Sequence, residues 1–189
     1  MKTIASTALP AHVQQPRYDR EQLRSRIVHF GFGAFHRAHQ ALLTNRVLNA
    51  KGGDWGICEI SLFSGDVLMR QLRAQDHLFT VLEKGAEGNQ PIIIGAVKEC
   101  LNAKLDSLAA IIEKFCEPQV AIVSLTITEK GYCIDPATGK LDMHNSRILH
   151  DLEHPSEPHS APGILVEALH RRRERSLPAF TVLSCDNIP

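Results

Sequence analysis

The chain carries no net charge: 21 Lys and Arg balance 21 Asp and Glu across 189 residues. No overall field therefore steers it toward nucleic acid or a membrane surface. No apolar run approaches the roughly 20 residues needed to cross a bilayer. The polar, proline-punctuated stretch from Met1 to Pro16 lacks the charged-then-apolar order of a signal peptide. There is no C-x-x-C pair. The five cysteines (Cys58, Cys100, Cys116, Cys133 and Cys185) are odd in number and scattered, which argues against a disulfide framework and for thiols in a reducing cytosol. Internal repeats and low-complexity segments are absent, and aromatic residues are only 5%. What is present, 43% hydrophobic and 22% charged residues in 21.0 kDa, excludes disorder, collagen-like repeats and coiled coil. The expectation is a cytoplasmic globular protein that binds neither nucleic acid nor membrane.

Residues 1–25 read as a lead-in, and residues 26–189 as one domain. Ile27-Val28-His29-Phe30 is a β-prone run that stops at Gly31-Phe32-Gly33. Phe35, His39, Leu42, Leu43 and Val47 then keep helical spacing up to Gly52-Gly53. Trp55 to Leu62 reads as a second strand and Val67 to Arg73 as a helix. Leu78 to Glu83 and Ile92 to Val97 read as two strands forming a hairpin or irregular edge. Asp106 is expected to cap a helix through Phe115. Val120 to Thr126 is apolar and β-branched, as in a strand buried on both faces of a parallel sheet. A helix over Gly163 to Arg175 and a strand over Phe180 to Cys185 complete the alternation. The pattern predicts an α/β fold, Rossmann-like and doubly wound, with a mostly parallel sheet and helices on both faces. Residues 135–162, with four prolines and four histidines, are expected to be a loop excursion holding at most one short helix.

Gly31-x-Gly33 stands where a dinucleotide fingerprint belongs, after the first strand and opening the first helix. The first glycine permits a tight turn, and the second lets backbone approach a pyrophosphate. The amides and positive end of the following helix then face the phosphates. His36 occupies the third glycine position, which governs helix–strand packing more than phosphate contact. An acid roughly 20 residues on should meet the adenosine ribose. Glu59 and Asp66 are the candidates, and Asp66 also reads as a helix cap after Gly65. A carboxylate there repels a 2′-phosphate and favours NAD over NADP.

Other clusters have plainer readings. His36 and His39 lie one helical turn apart, but no third ligand follows at zinc-like spacing, so no metal is expected. His144, His150, His154 and His159 are too irregular for a metal site. Arg171-Arg172-Arg173-Glu174-Arg175 reads as a solvated helix end near its negative dipole. Cys185, with no paired histidine in reach, reads as structural.

The run Gly31-Phe32-Gly33-Ala34-Phe35-His36-Arg37-Ala38-His39-Gln40 resembles the signature of the mannitol dehydrogenase family. These polyol-specific long-chain dehydrogenases include fructuronate reductase (D-mannonate oxidoreductase). Matching blocks follow in order at Asp54 to Cys58, Val123 to Cys133 and Ser184 to Pro189. The detail is most similar to fructuronate reductase-like members. The resemblance implies a Rossmann-like domain that binds NAD, without a metal, for interconversion of a ketose or keto-hexuronate and its alcohol. Fructuronate and D-mannonate come first; mannitol or arabinitol is the alternative. On this chain it implies Gly31, Gly33 and Phe35 beside the pyrophosphate and Asp66 at the ribose. It implies Asn187 as a donor to the reacting oxygen and Glu129 near the proton exit path. Lys130, where polyol-oxidising relatives more often have glycine, would suit a carboxylate-bearing sugar, or is simply a surface lysine.

The family's general base is a lysine in a K-x-x-x-x-N-x-x-H motif of a helical second domain, which would follow Pro189. Lys140/Asn145 and Lys84/Asn89 share part of that spacing but place Ile148 and Ile92 at the histidine position. The expectation is a cofactor domain whose C-terminal partner domain is missing and which alone turns over negligibly. A nucleotide-binding module that never catalysed is the rival of another class.

Overall fold

A computed structural model describes residues 8–62, 64–86 and 88–186. Five strands form a parallel sheet: β1 (Arg24–Phe30), β2 (Trp55–Ser61), β5 (Val97–Asn102), β6 (Ile122–Leu125) and β7 (Thr181–Ser184). Their spatial order is β5-β2-β1-β6-β7, so the direction of strand addition reverses beside β1. That is the doubly wound order. A separate antiparallel hairpin, β3 (Phe79–Gly85) and β4 (Gly88–Ile94), is inserted between β2 and β5.

Helices cover both faces. The first begins as α1 (Ala34–His36), passes through a π-helical turn at Arg37–Ala41, and continues as α2 (Leu42–Lys51). Then come α3 (Asp66–Ala74), α4 (Ala103–Asp106), α5 (Leu108–Phe115), α6 (Ser146–Glu153) and α7 (Ala161–Glu174). Strand alternation divides the central residues between two cores. Val28, Phe30, Cys58, Ile60, Val123 and Leu125 pack against Ile111, Ile112 and Phe115 of α5 and Ile164 and Ala168 of α7. On the opposite face Ile27 and Ile57 meet Leu42 and Leu48 of α2 and Ile92 and Ile94 of the hairpin. Each large apolar side chain buried this way contributes about 1.5–3 kcal/mol.

The sequence expectations hold for fold class, with three corrections. Val97 does not end a hairpin strand: it starts β5, the sheet edge, whose polar run Lys98-Glu99-Cys100 hides the alternation. Asp106 is not the cap of α5. It ends α4 and accepts from the Asn102 amide, while Ser107, at φ +82°, caps α5 through its hydroxyl. Arg172 is not solvated. It is 1% exposed and donates to the carbonyls of Phe115, Glu117, Val120 and Pro178. The 135–162 excursion holds one short helix, α6, as expected. Among the described residues no helix is long and apolar enough to cross a membrane.

Candidate functional site

The strand order opens a crevice of about 280 Å³ at the carboxyl ends of β1, β2 and β6, between Gly31, Ser61, Ser64, Thr126 and Thr128. In doubly wound sheets this switch point is where ligands bind. Gly31 has φ +104°, and a Cβ on it would stand 2.2 Å from the Thr126 carbonyl oxygen. Only glycine fits there. Its carbonyl accepts from the Gly33 amide at 2.7 Å and the Thr126 hydroxyl at 2.9 Å, which closes the turn. Gly33 differs: at φ −81° a Cβ would meet nothing within 4 Å. The space over Gly33 is open, and it is the N-cap of the helix with no capping side chain. The amides of Ala34, Phe35 and His36 that follow have no preceding turn to donate to. An open cradle of backbone N–H groups at a helix start fits a diphosphate.

Beneath that turn lies a polar row across the sheet. Glu59 on β2 and Ser124 on β6 flank His29 of β1 in register. His29 Nδ1 lies 2.7 Å from Ser124 Oγ, and its Nε2 lies 3.0 Å from the Gly31 carbonyl and 2.9 Å from Thr126 Oγ1. His36 stacks on His29 at a centroid distance of 3.5 Å and bonds Glu59 Oε1 through Nε2 at 2.7 Å. His36 and Glu59 are both fully buried. Burial pushes the Glu59 carboxyl up against the downward pull of His36. Burial, reinforced by His36, lowers His29 to about 2, so its ring stays neutral. His29, His36 and Glu59 bring ligand-type atoms within 4.8 Å of one another. Both nitrogens of His29 and the His36–Glu59 contact are hydrogen-bonded, while His36 Nδ1 and Glu59 Oε2 have no partner among the described residues.

The structure treats the sequence candidates unequally. Gly31 and Gly33 form the turn at the crevice. Phe35 turns its ring away: it is exposed, stacks on His39 at 4.2 Å and borders an apolar groove with Leu43, Val47, Trp55 and Leu183. Any phosphate contact at this position belongs to its backbone amide. Asp66 is the first residue of α3 after Gly65, the actual cap at φ +79°. Its half-buried carboxylate lies 3.7 Å from Lys104 Nζ, and Asp66 is not among the residues that line the crevice. Glu129 is exposed and opens a 3₁₀ turn at Glu129–Tyr132. Lys130, in that turn, lines the crevice, and so does Arg147 of α6. Asn187 lies outside the described residues. His39 points away from the His36–Glu59 pair, its Nδ1 2.8 Å from the Phe35 carbonyl.

Sequence reasoning missed three participants. Thr126 shares the Gly31 carbonyl. Arg147 enters from a segment read only as an excursion. Asp186 accepts from the amides of Ile127 and Thr128 and from the Tyr132 hydroxyl, tying the end of β7 to the crevice wall. The signal for Asp186 was its place one residue after Cys185 at a strand end. The polar row was visible only as three polar residues inside apolar strands.

Comparison with known proteins bears on the same features. Residues 25–189 match the mannitol dehydrogenase Rossmann domain. The chain is 84% identical over its whole length to the uncharacterized oxidoreductase YeiQ of Escherichia coli K12, covering 39% of that protein. It is 53% identical to the D-mannonate oxidoreductase of the same organism, again over the whole chain and 39% of the relative. Among solved structures, Pseudomonas fluorescens mannitol 2-dehydrogenase in ternary complex with NAD and D-mannitol superposes with a TM-score of 0.90 at 44% identity. That match covers 95% of this chain and 37% of the other. The chain thus spans about two fifths of the length of these relatives.

Proposed function

The chain belongs to the mannitol dehydrogenase family, and from that premise we propose that it is the cofactor-binding part of an NAD-dependent oxidoreductase. The reaction interconverts a ketose or keto-hexuronate and its alcohol, with fructuronate and D-mannonate as the pair. The observation that carries this reading is the open amide cradle at Gly33, beside a turn that only glycine can make, at the switch point of the sheet.

NAD, when bound, supplies or accepts the hydride. This chain's residues hold and orient it. The first-turn amides take the diphosphate, and Asp66 takes the adenosine ribose hydroxyls from its position at the start of α3. The negative Asp66 disfavours a 2′-phosphate. Asn187 donates to the substrate oxygen as negative charge grows there, lowering the barrier as a preorganised donor does. Glu129 stands by the proton's way out. The proton itself is handled by a lysine of the helical second domain that the family resemblance implies. Lys130 and Arg147, both on the crevice wall, suit a carboxylate-bearing sugar. Mannitol is the second reading, supported by likeness to an enzyme solved with that polyol.

Calorimetry on the chain tests the cofactor reading. NAD should bind saturably and NADP at least about tenfold more weakly, a difference of about 1.4 kcal/mol, with Asp66→Ser narrowing the gap. No binding of NAD at millimolar concentration overturns it. In the complete enzyme, Lys130→Gly should raise KM for fructuronate more than for fructose. Equal effects favour mannitol.

A further inference from the structure

The third position of the glycine fingerprint is where a helix packs closely on its strand, and a small residue is what that closeness asks for. His36 occupies it here and is buried nonetheless. Two features make room. The helix widens into a π turn at Arg37–Ala41, directly after His36. The sheet below presents Glu59 and His29, adjacent in register, where apolar side chains would otherwise stand. We infer that the His36–Glu59 pair, stacked on His29, positions the Gly31–Gly33 turn by docking the start of the helix onto the sheet through a buried hydrogen bond.

The path from pair to turn is short. Glu59 Oε1 holds His36 at 2.7 Å, and the His36 ring lies flat on His29, with 14° between the planes. The His29 ring abuts the Gly31 carbonyl, which accepts the Gly33 amide. Moving His36 therefore moves the two rings and the carbonyl that sets the direction of the turn. The arrangement is not the most stable filling of that space. His36 Nδ1 and Glu59 Oε2 are buried without a hydrogen-bond partner among the described residues, and unsatisfied buried polar groups destabilise a fold. A well-packed apolar pair of similar volume is commonly as stable or more so. The retained polar pair sets geometry at a cost in stability. The link to NAD rests on the function proposed above, whereas the effect on the turn does not.

The test uses the whole chain with two readouts: hydrogen exchange at the Gly33 amide without cofactor, and NAD binding by calorimetry. His36→Leu combined with Glu59→Leu removes both partners and leaves no unpaired buried charge. The double variant should exchange at Gly33 about tenfold faster, with β6 amides unchanged, and bind NAD about tenfold more weakly. Glu59→Gln keeps an acceptor for His36 and should restore both readouts to within about threefold of the unaltered chain. Should the double variant fail to fold, Glu59→Met, which removes the acceptor alone, must show the same acceleration. Unchanged Gly33 exchange in the folded variant overturns the inference. Accelerated exchange in a chain that never binds NAD overturns the cofactor reading and supports the positioning role.

Discussion

Two glycines two residues apart have opposite reasons to be glycine. Gly31 is demanded by the fold: positive φ and a backbone oxygen 2.2 Å from where its Cβ would go. Gly33 has ordinary dihedrals and empty space above it, so the fold does not require it to lack a side chain. Gly31→Ala should therefore destabilise the chain by about 2–4 kcal/mol. Gly33→Ala should change stability by less than about 0.5 kcal/mol while weakening NAD binding. Denaturant melts and calorimetry on both variants separate the two effects. His29 provides a pH prediction. Above its unfolded pKa of about 6.5 the ring is neutral in both states. Below that, the unfolded chain takes up a proton that buried His29, lowered to about 2, refuses. Stability should fall by up to about 1.4 kcal/mol per pH unit from this group as the pH drops. His29→Asn should flatten that part of the limb when denaturant midpoints are compared at pH 7, 6 and 5.

At the level of elements, Arg172 in α7 is a central tie. Its guanidinium gathers carbonyls from the end of α5, the approach to β6 and the turn before β7, with Phe180 5.5 Å below it. Arg172→Met would leave those buried acceptors without their donor, a loss of about 3 kcal/mol or more. Arg171 and Arg175, one turn apart on the same helix, instead bind Glu113 at the surface. There, Arg175→Met should cost under about 1 kcal/mol. Thermal melts of the two variants check the contrast. A run of three arginines in sequence thus divides by helical angle, with Arg172 in the core, Arg171 half-buried against Glu167 and Arg173 exposed, and charge composition alone assigned all of them to solvent.

For the whole molecule, a ligand that binds only the folded state raises its stability. NAD at about 100 times its Kd adds about 2.7 kcal/mol, which for a chain of this size is a Tm rise of about 5–10 °C. A thermal shift with NAD that fails to appear under saturation measured by calorimetry would mean that the crevice forms without coupling to the fold. The architecture is largely legible in the amino-acid sequence. Val120 to Thr126 announces a central strand by its almost continuous apolar, β-branched run, and Gly31-x-Gly33 marks the first crossover. β5 is hidden because Lys98 and Glu99 interrupt its apolar residues beside a register shift in its pairing with β2. Of the candidate site, the glycines are visible as a motif at a strand end, whereas spacing leaves Glu59 and Asp66 both open and only the family resemblance prefers Asp66. Thr126, Arg147 and Asp186 are not, because they lie far along the chain from Gly31 and no local periodicity links them.

The order of residues alone determined the fold class, the turn at Gly31 and the family, since alternation, helical spacing and a short motif are local properties of a chain. Only the tertiary structure decided what the conspicuous side chains meet: Glu59 bonds His36, Phe35 turns outward and Arg172 enters the core. Direction depends on which neighbouring strand or helix supplies a partner, and register across the sheet, not distance along the sequence, selects that partner.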